Sequence, residues 1–152
     1  MSISNACQAI AAWATATPAP EEGRSALSFL AAALLIATAD GPVDDGERAQ
    51  LVTLYAALQG DALDDATIQA QVDFNEQGAD ARIAELNAAL PNESEKDLLV
   101  SFAALMACAD RGVNAKEGAM LQKLGQGVGF SHNHVLELLA KAMNAASHGV
   151  PA

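Results

Sequence analysis

The chain has 152 residues, of which 51% are hydrophobic and only 4% aromatic, a length that buries one full-sized core without metal or disulfide staples. Its formal charge of −11 lies entirely in the middle: between Asp40 and Asp97 there are fourteen acidic and three basic residues, and elsewhere five of each. Phosphate contacts need concentrated Lys and Arg, so nucleic acid is excluded as a partner, and a cation or a basic protein surface is the natural one.

An alanine-rich, aromatic-poor composition predicts closely packed helices. Ile3 to Ala16 carries Ala6, Cys7, Ile10, Trp13 and Ala14 at helical spacing and is stopped by Pro18 and Pro20. Pro20-Glu21-Glu22 then suits a helix N-terminus, and the segment to Ala39 is apolar on almost every face, as in a central helix wrapped by others. Asp40-Gly41-Pro42 ends it, with Gly41 free to adopt a positive φ. A third helix is expected from Asp44 to about Leu58, with Leu51, Leu54, Tyr55 and Leu58 inward.

Asp64 is placed to cap a fourth helix through Ala66, Ile68, Val72 and Phe74, and Asn75 to Gly78 reads as a turn. A short helix from about Asp80 presents Ile83, Leu86 and Leu90 and ends at Pro91. Glu93 to Ala109 is again a helix with a long apolar stretch, closed by Asp110-Arg111-Gly112. The next starts at Asn114 and carries Leu121, Leu124 and Val128. Ser131 caps the last, through Val135, Leu138, Leu139 and Met143, and fraying is expected from Ser147. The fold class predicted is all-α, a bundle of about eight helices.

The stretch Ala33 to Leu54 aligns without a gap on Ala103 to Leu124. Ten of twenty-two positions are identical, four of them alanine, and the others include Asp40/Asp110, Val43/Val113, Glu47/Glu117 and Leu51/Leu121. The expected organisation is one domain over residues 1–152, built on a helix-turn-helix unit used twice, at about 25–58 and 93–128.

Asp44-x-x-Glu47 and Asn114-x-x-Glu117 both have capping-box spacing, in which the first side chain accepts from the amide three residues on and the glutamate reaches back. That structural role needs no ligand. The second reading is chemical: Asp40, Asp44, Asp45 and Glu47 put four carboxylates into eight residues, and oxygen-rich loops hold hard divalent cations. The loop is not an EF-hand, since its sixth residue from Asp40 is Asp45 and its twelfth is Leu51. The positive end of the helix dipole opposes a cation on the axis. The second turn keeps Asp110, Asn114 and Glu117, with Arg111 and Lys116 beside them, a poorer cation site.

Asp61, Asp64 and Asp65 form a further acidic group, separated from the first turn by a helix roughly 21 Å long, so they read as a solvated loop and a cap. His132 and His134, two apart on a helix, do not stack and read as exposed. Cys7 and Cys108 sit in apolar runs as small hydrophobes. No paired nucleophile and base, phosphate loop or HExxH motif is present, which argues against an enzyme. The first basic residue is Arg24, too late for a secretory leader, and the apolar run from Ala26 to Ala39 is short of the roughly twenty residues of a membrane span, so the expected location is the cytoplasm.

The repeated turn, ATADGPVDDGERAQL with ACADRGVNAKEGAML, resembles the TerB-like family: the tellurite-resistance TerB proteins and the related domain of some membrane-anchored DnaJ-like co-chaperones. Asp40, Gly41, Val43 and Glu47 match its first motif, and Asp110, Val113 and Glu117 its second, where Arg111 replaces the usual glycine. The similarity runs from about Arg24 to Met143. It implies an all-α bundle with internal pseudo-twofold character, a role in tellurite resistance or envelope and metal stress, and metal binding at the acidic turn residues. Two functions follow as expectations. One is a non-enzymatic module binding calcium or another hard divalent cation through Asp40, Asp44, Asp45 and Glu47, with Asp110 and Glu117. The alternative is an acidic module that docks a basic protein and uses the turns only as caps.

Overall fold

The computed structural model of the chain describes residues 3–19, 21, 24–58, 63–90, 92–110 and 113–148, and of Ile3, Ala109 and Asp110 only the backbone. These residues form eight helices and no strand: α1 (Ile3–Ala16), α2 (Ala26–Ala37), α3 (Asp45–Ala57), α4 (Asp65–Glu76), α5 (Ala79–Ala89), α6 (Glu93–Asp110), α7 (Ala115–Gly127) and α8 (His132–His148). The all-α bundle expected from the sequence is the observed fold.

The two helices with the longest buried stretches lie at the centre. Every residue from Phe29 to Ala37 in α2 is buried, as is every residue from Leu98 to Cys108 in α6, and a helix without a polar face has no stable place at a surface. α2 packs on α6, α4, α7, α3 and α5, while α6 packs on α8, α2, α1, α3 and α7. Alanine on both lets them approach closely. Phe29 and Phe102 meet between them edge to face, with centroids 6.0 Å apart, a geometry worth about 0.5–1.5 kcal/mol beyond the area it buries.

α1 and α8 close one side of the bundle. Ala6, Ala9 and Ile10 face inward from α1, and Asn5 donates to the carbonyls of Ala146 and Ser147 at 3.4 and 3.3 Å. With that tie α8 runs on to His148, past Ser147 where fraying was expected, and residues 149–152 lie outside the described residues. Further along the same interface the Lys141 ammonium sits 4.0 Å from the centroid of the Trp13 ring.

Two boundaries differ from the sequence reading. α2 begins at Ala26 behind an extended Ser25, not at Pro20-Glu21-Glu22. Just before it, Arg24 bonds the Glu95 carboxylate and the Thr17 carbonyl. α4 continues through Asn75, where a turn was expected, because the Asn75 side chain is buried and donates to the Ala31 carbonyl of α2 at 3.2 Å. Pro20, Glu22, Pro91, Asp61, Arg111 and Gly112, used in the sequence reading, lie outside the described residues.

α7 ends in a Schellman motif: the Phe130 amide donates to the Gly125 carbonyl and the Gly129 amide to Gln126, with Gly129 at φ +101°. Ser131 caps α8 as expected, accepting from the His134 amide at 3.1 Å.

Candidate functional site at the acidic turns

Both turns are built by the same local chemistry. α2 stops where the Thr38 hydroxyl donates to the Leu34 carbonyl and Gly41 takes φ +152°, which an L side chain rarely adopts. Extended Asp44 then accepts from the Glu47 amide at 2.7 Å, and the Asp44 amide donates to the Glu47 carboxylate at 3.3 Å. Asn114 stands in the equivalent place before α7, accepting from the Glu117 amide at 2.8 Å and donating its own amide to the Glu117 carboxylate at 3.2 Å. Both capping boxes are therefore formed, and Glu47 and Glu117, each 8% exposed, are folded under their turns.

The fold brings the two turns against each other. The Asn114 amide nitrogen donates to the exposed Asp40 carboxylate, a hydrogen bond across 74 residues of sequence. Asp45 opens α3 and is exposed. Asp110 is the last residue of α6, and its side chain lies outside the described residues. Among the described residues no three His, Cys, Asp or Glu side chains gather into a group that would hold a metal. All the candidate ligands are oxygen donors, the chemistry of a hard cation. In the geometry described, Asp44 and Glu47 serve α3, Glu117 serves α7, and Asp40 serves the contact between the turns.

Beneath the second turn lies Cys108, fully buried. Burial, and secondarily the Glu117 carboxylate, push its thiol up to about 11, so at neutral pH it is an uncharged core residue rather than a thiolate ligand or nucleophile.

The acidic group of α4 is not separate from the first turn in the way its sequence distance suggests. Asp64 caps α4, and the hydroxyl and amide of Thr67 hold its carboxyl below the usual range. Asp65, however, pairs with Arg48 in the first turn of α3 at 3.2 Å. A further buried polar group lies on α5. Arg82 is 6% exposed, lies 4.2 Å over the Phe74 ring, and bonds Glu85 and Gln71.

His134 is also more engaged than its spacing implied. Its Nε2 lies 2.7 Å from Asp97 on α6 and its ring meets Phe130 edge to face, whereas His132 is exposed as expected. The hydrogen bond to Asp97 raises the His134 pKa, partial burial opposes, and Glu137 adds to the rise. A pKa higher in the folded state means the folded chain binds this proton more tightly. Its stabilisation is complete below the ordinary value of 6.5 and is lost as pH climbs through the folded value. The thermal midpoint is thus expected to fall as pH rises from about 6.5, with a shallower fall in Asp97→Asn measured at the same ionic strength. Parallel profiles for the two proteins would disprove the coupling.

Among the described residues no helix is long and apolar enough to cross a membrane. No curated protein and no solved structure matches the chain at a significant level. Residues 26–140, which hold both turns and all of α2 to α7, match the family model described as tellurite resistance protein TerB, and the chain belongs to the TerB family.

Proposed function

We propose that this TerB chain is a non-enzymatic, tellurite-resistance-associated module that takes a divalent cation at its two acidic turns. Oxygen would come from Asp40, Asp44, Asp45 and Glu47 on one side and from Asp110 and Glu117 on the other. The observation that supports the reading most is the hydrogen bond from Asn114 to Asp40, since it makes two turns far apart in sequence into neighbours. An all-oxygen donor set favours calcium or another hard cation over soft metals. Binding would require Asp40 to exchange the Asn114 amide for the ion, so the ion competes with an existing contact rather than entering a ready cage. Family membership supports the association with tellurite resistance, and TerB domains are in general helical and non-enzymatic.

The second reading is an acidic module for a basic protein. It is favoured by the capping boxes, which account for Asp44, Glu47 and Glu117 without any ion. Thermal midpoints of EDTA-stripped protein with calcium, magnesium, manganese or zinc separate the two. A cation at about a hundred times its dissociation constant stabilises by roughly 2.7 kcal/mol, a rise of about 5–10 °C for a chain of this size. Asp44→Asn/Asp45→Asn is expected to abolish the rise while leaving the metal-free midpoint nearly unchanged, because asparagine caps a helix as well as aspartate does. If none of the four metals moves the midpoint at millimolar concentration, the cation reading is wrong. Salt-sensitive, chelator-independent capture of a basic peptide would then carry the second.

A further inference from the structure

Behind the first turn, between the end of α2, α4 and α7, lies an open cleft of about 520 Å³. Its walls are largely apolar, with half-buried Val43, Val72 and Met120 lining it together with buried Leu35. α8, which follows α7, packs on α7, α6 and α1. α4, which follows α3, packs on α2 and α5, and its tie to α3 is the ion pair of Asp65 with Arg48, at 3.2 Å. Apolar side chains beside such an open place keep water that a partner could displace.

Three exposed carboxylates border the cleft. Glu76 is one of its lining residues. Asp73, one turn earlier on α4, accepts at 2.8 Å from the side-chain amide of Gln69, which also lines the cleft. Asp40 stands between Ala39 and Gly41, both of them lining residues. Among the described residues none of these three carboxylates is paired with a base, and Arg48, the base in the lining, is engaged by Asp65.

We propose that this cleft docks a short basic segment of a partner protein, with one bulky aliphatic side chain in the cleft and Lys or Arg on either side of it against Asp40, Asp73 and Glu76. The proposal rests on the second reading above, an acidic module for a basic protein, and gives that reading a place and an apolar anchor. Charge selects the occupant. An acidic segment would meet three like charges, and a second copy of this chain would bring its own −11. An uncharged apolar segment would fill the walls but take water from the carboxylates without replacing it. A basic segment satisfies walls and rim together. Size selects a segment over a folded face, since a stable protein interface buries about 1,200–2,000 Å² and a cleft of this volume holds only a few side chains. Met120 suits such an anchor, because its unbranched thioether adapts to the side chain it meets.

The test is an NMR titration of the isotope-labelled chain, in EDTA so that no cation intervenes, with three end-blocked peptides. These are Arg-Lys-Leu-Lys-Arg, the same peptide with alanine for leucine, and the same peptide with glutamine for every base. The leucine peptide is expected to give saturable shifts at Val43, Val72 and Met120, with a dissociation constant of about 0.1–1 mM, as suits so small a contact. Alanine for leucine should weaken binding about tenfold, the effect of burying one such side chain. Glutamine for the bases should weaken it by about as much. Asp73→Asn/Glu76→Gln should weaken the leucine peptide several-fold and flatten its dependence on salt. Met120→Trp, which fills the cleft, and Val72→Lys, which sets a cation in its wall, should each remove the advantage of leucine over alanine with the spectrum otherwise folded.

An alanine peptide that binds as tightly as the leucine peptide overturns the cleft while leaving an acidic module for bases. Shifts that fall on the exposed Leu136 and Met143 of α8 instead of the cleft walls do the same. A glutamine peptide that binds as tightly overturns the proposal and the second reading with it. So does the absence of saturable shifts with the leucine and alanine peptides up to about 5 mM.

Discussion

Arg24→Met is expected to destabilise the chain by about 3–5 kcal/mol, because it strands a carboxylate inside the bundle. Glu95 is 1% exposed at the start of α6, and both of its oxygens face Arg24 Nε, at 3.0 and 3.2 Å, with Nη2 also 3.0 Å from Oε1. The same Nη2 donates to the Thr17 carbonyl at 2.7 Å, tying the end of α1 to the start of α6. Methionine keeps the volume of the arginine stem but leaves Glu95 buried as an uncompensated charge. For a chain of this size the thermal midpoint should fall by roughly 6–20 °C. The double variant Arg24→Met/Glu95→Leu should recover most of the loss, because a buried ion pair replaced whole is often neutral in energy. Urea unfolding of the two single variants and the double variant measures this. A loss below about 1 kcal/mol in Arg24→Met would show that Glu95 regains water easily and that the pair is not held as described.

The second large effect comes from the smallest change. Gly125 is buried on α7 facing α8, and a β-carbon there would lie 2.2 Å from Val135 Cγ2. Val135 is 1% exposed and β-branched, so on a helix it has essentially one rotamer and cannot swing aside. α7 cannot easily retreat either, since the Gly125 carbonyl accepts the Phe130 amide that closes the helix. Gly125→Ala is therefore expected to cost about 1–3 kcal/mol, overriding the roughly 0.5–1 kcal/mol that alanine gains over glycine inside a helix. Val135→Ala in the same chain should relieve the overlap, so the double variant should be less destabilised than the two single losses added together. A stabilised Gly125→Ala protein would mean that α7 and α8 lie farther apart than described.

The features legible in the sequence were those written within one turn of helix. Asp44 with Glu47, Asn114 with Glu117, Asp64 with Thr67 and Ser131 with His134 all pair across three residues, so spacing alone specifies the contact. The central place of α2 and α6 was legible for a related reason, since a helix with no polar face must be surrounded. The hydrogen bond between Asp40 and Asn114 was not legible, nor were those of Arg24 with Glu95, Asn75 with Ala31, or His134 with Asp97. In each the partner comes from a distant part of the chain, 74, 71, 44 and 37 residues away respectively, and no local pattern announces it. The start of α2 is a further case: Pro20-Glu21-Glu22 has the composition of a helix N-terminus, yet α2 opens at Ala26 behind an extended Ser25, next to an Arg24 bonded to the distant Glu95. The same limit applies to the acidic turns. Their composition marked the carboxylates, and packing alone brought the Asn114 amide to Asp40.

The contact between Lys141 and Trp13 makes the seam of α1 and α8 visible to spectroscopy. Trp13 is the chain's single tryptophan, so its emission reports one place, where the first helix meets the last. Fluorescence thereby follows the longest-range association in the bundle, while circular dichroism follows backbone helicity throughout. Coincidence of the two unfolding curves is the condition under which the free energies above describe a single cooperative transition.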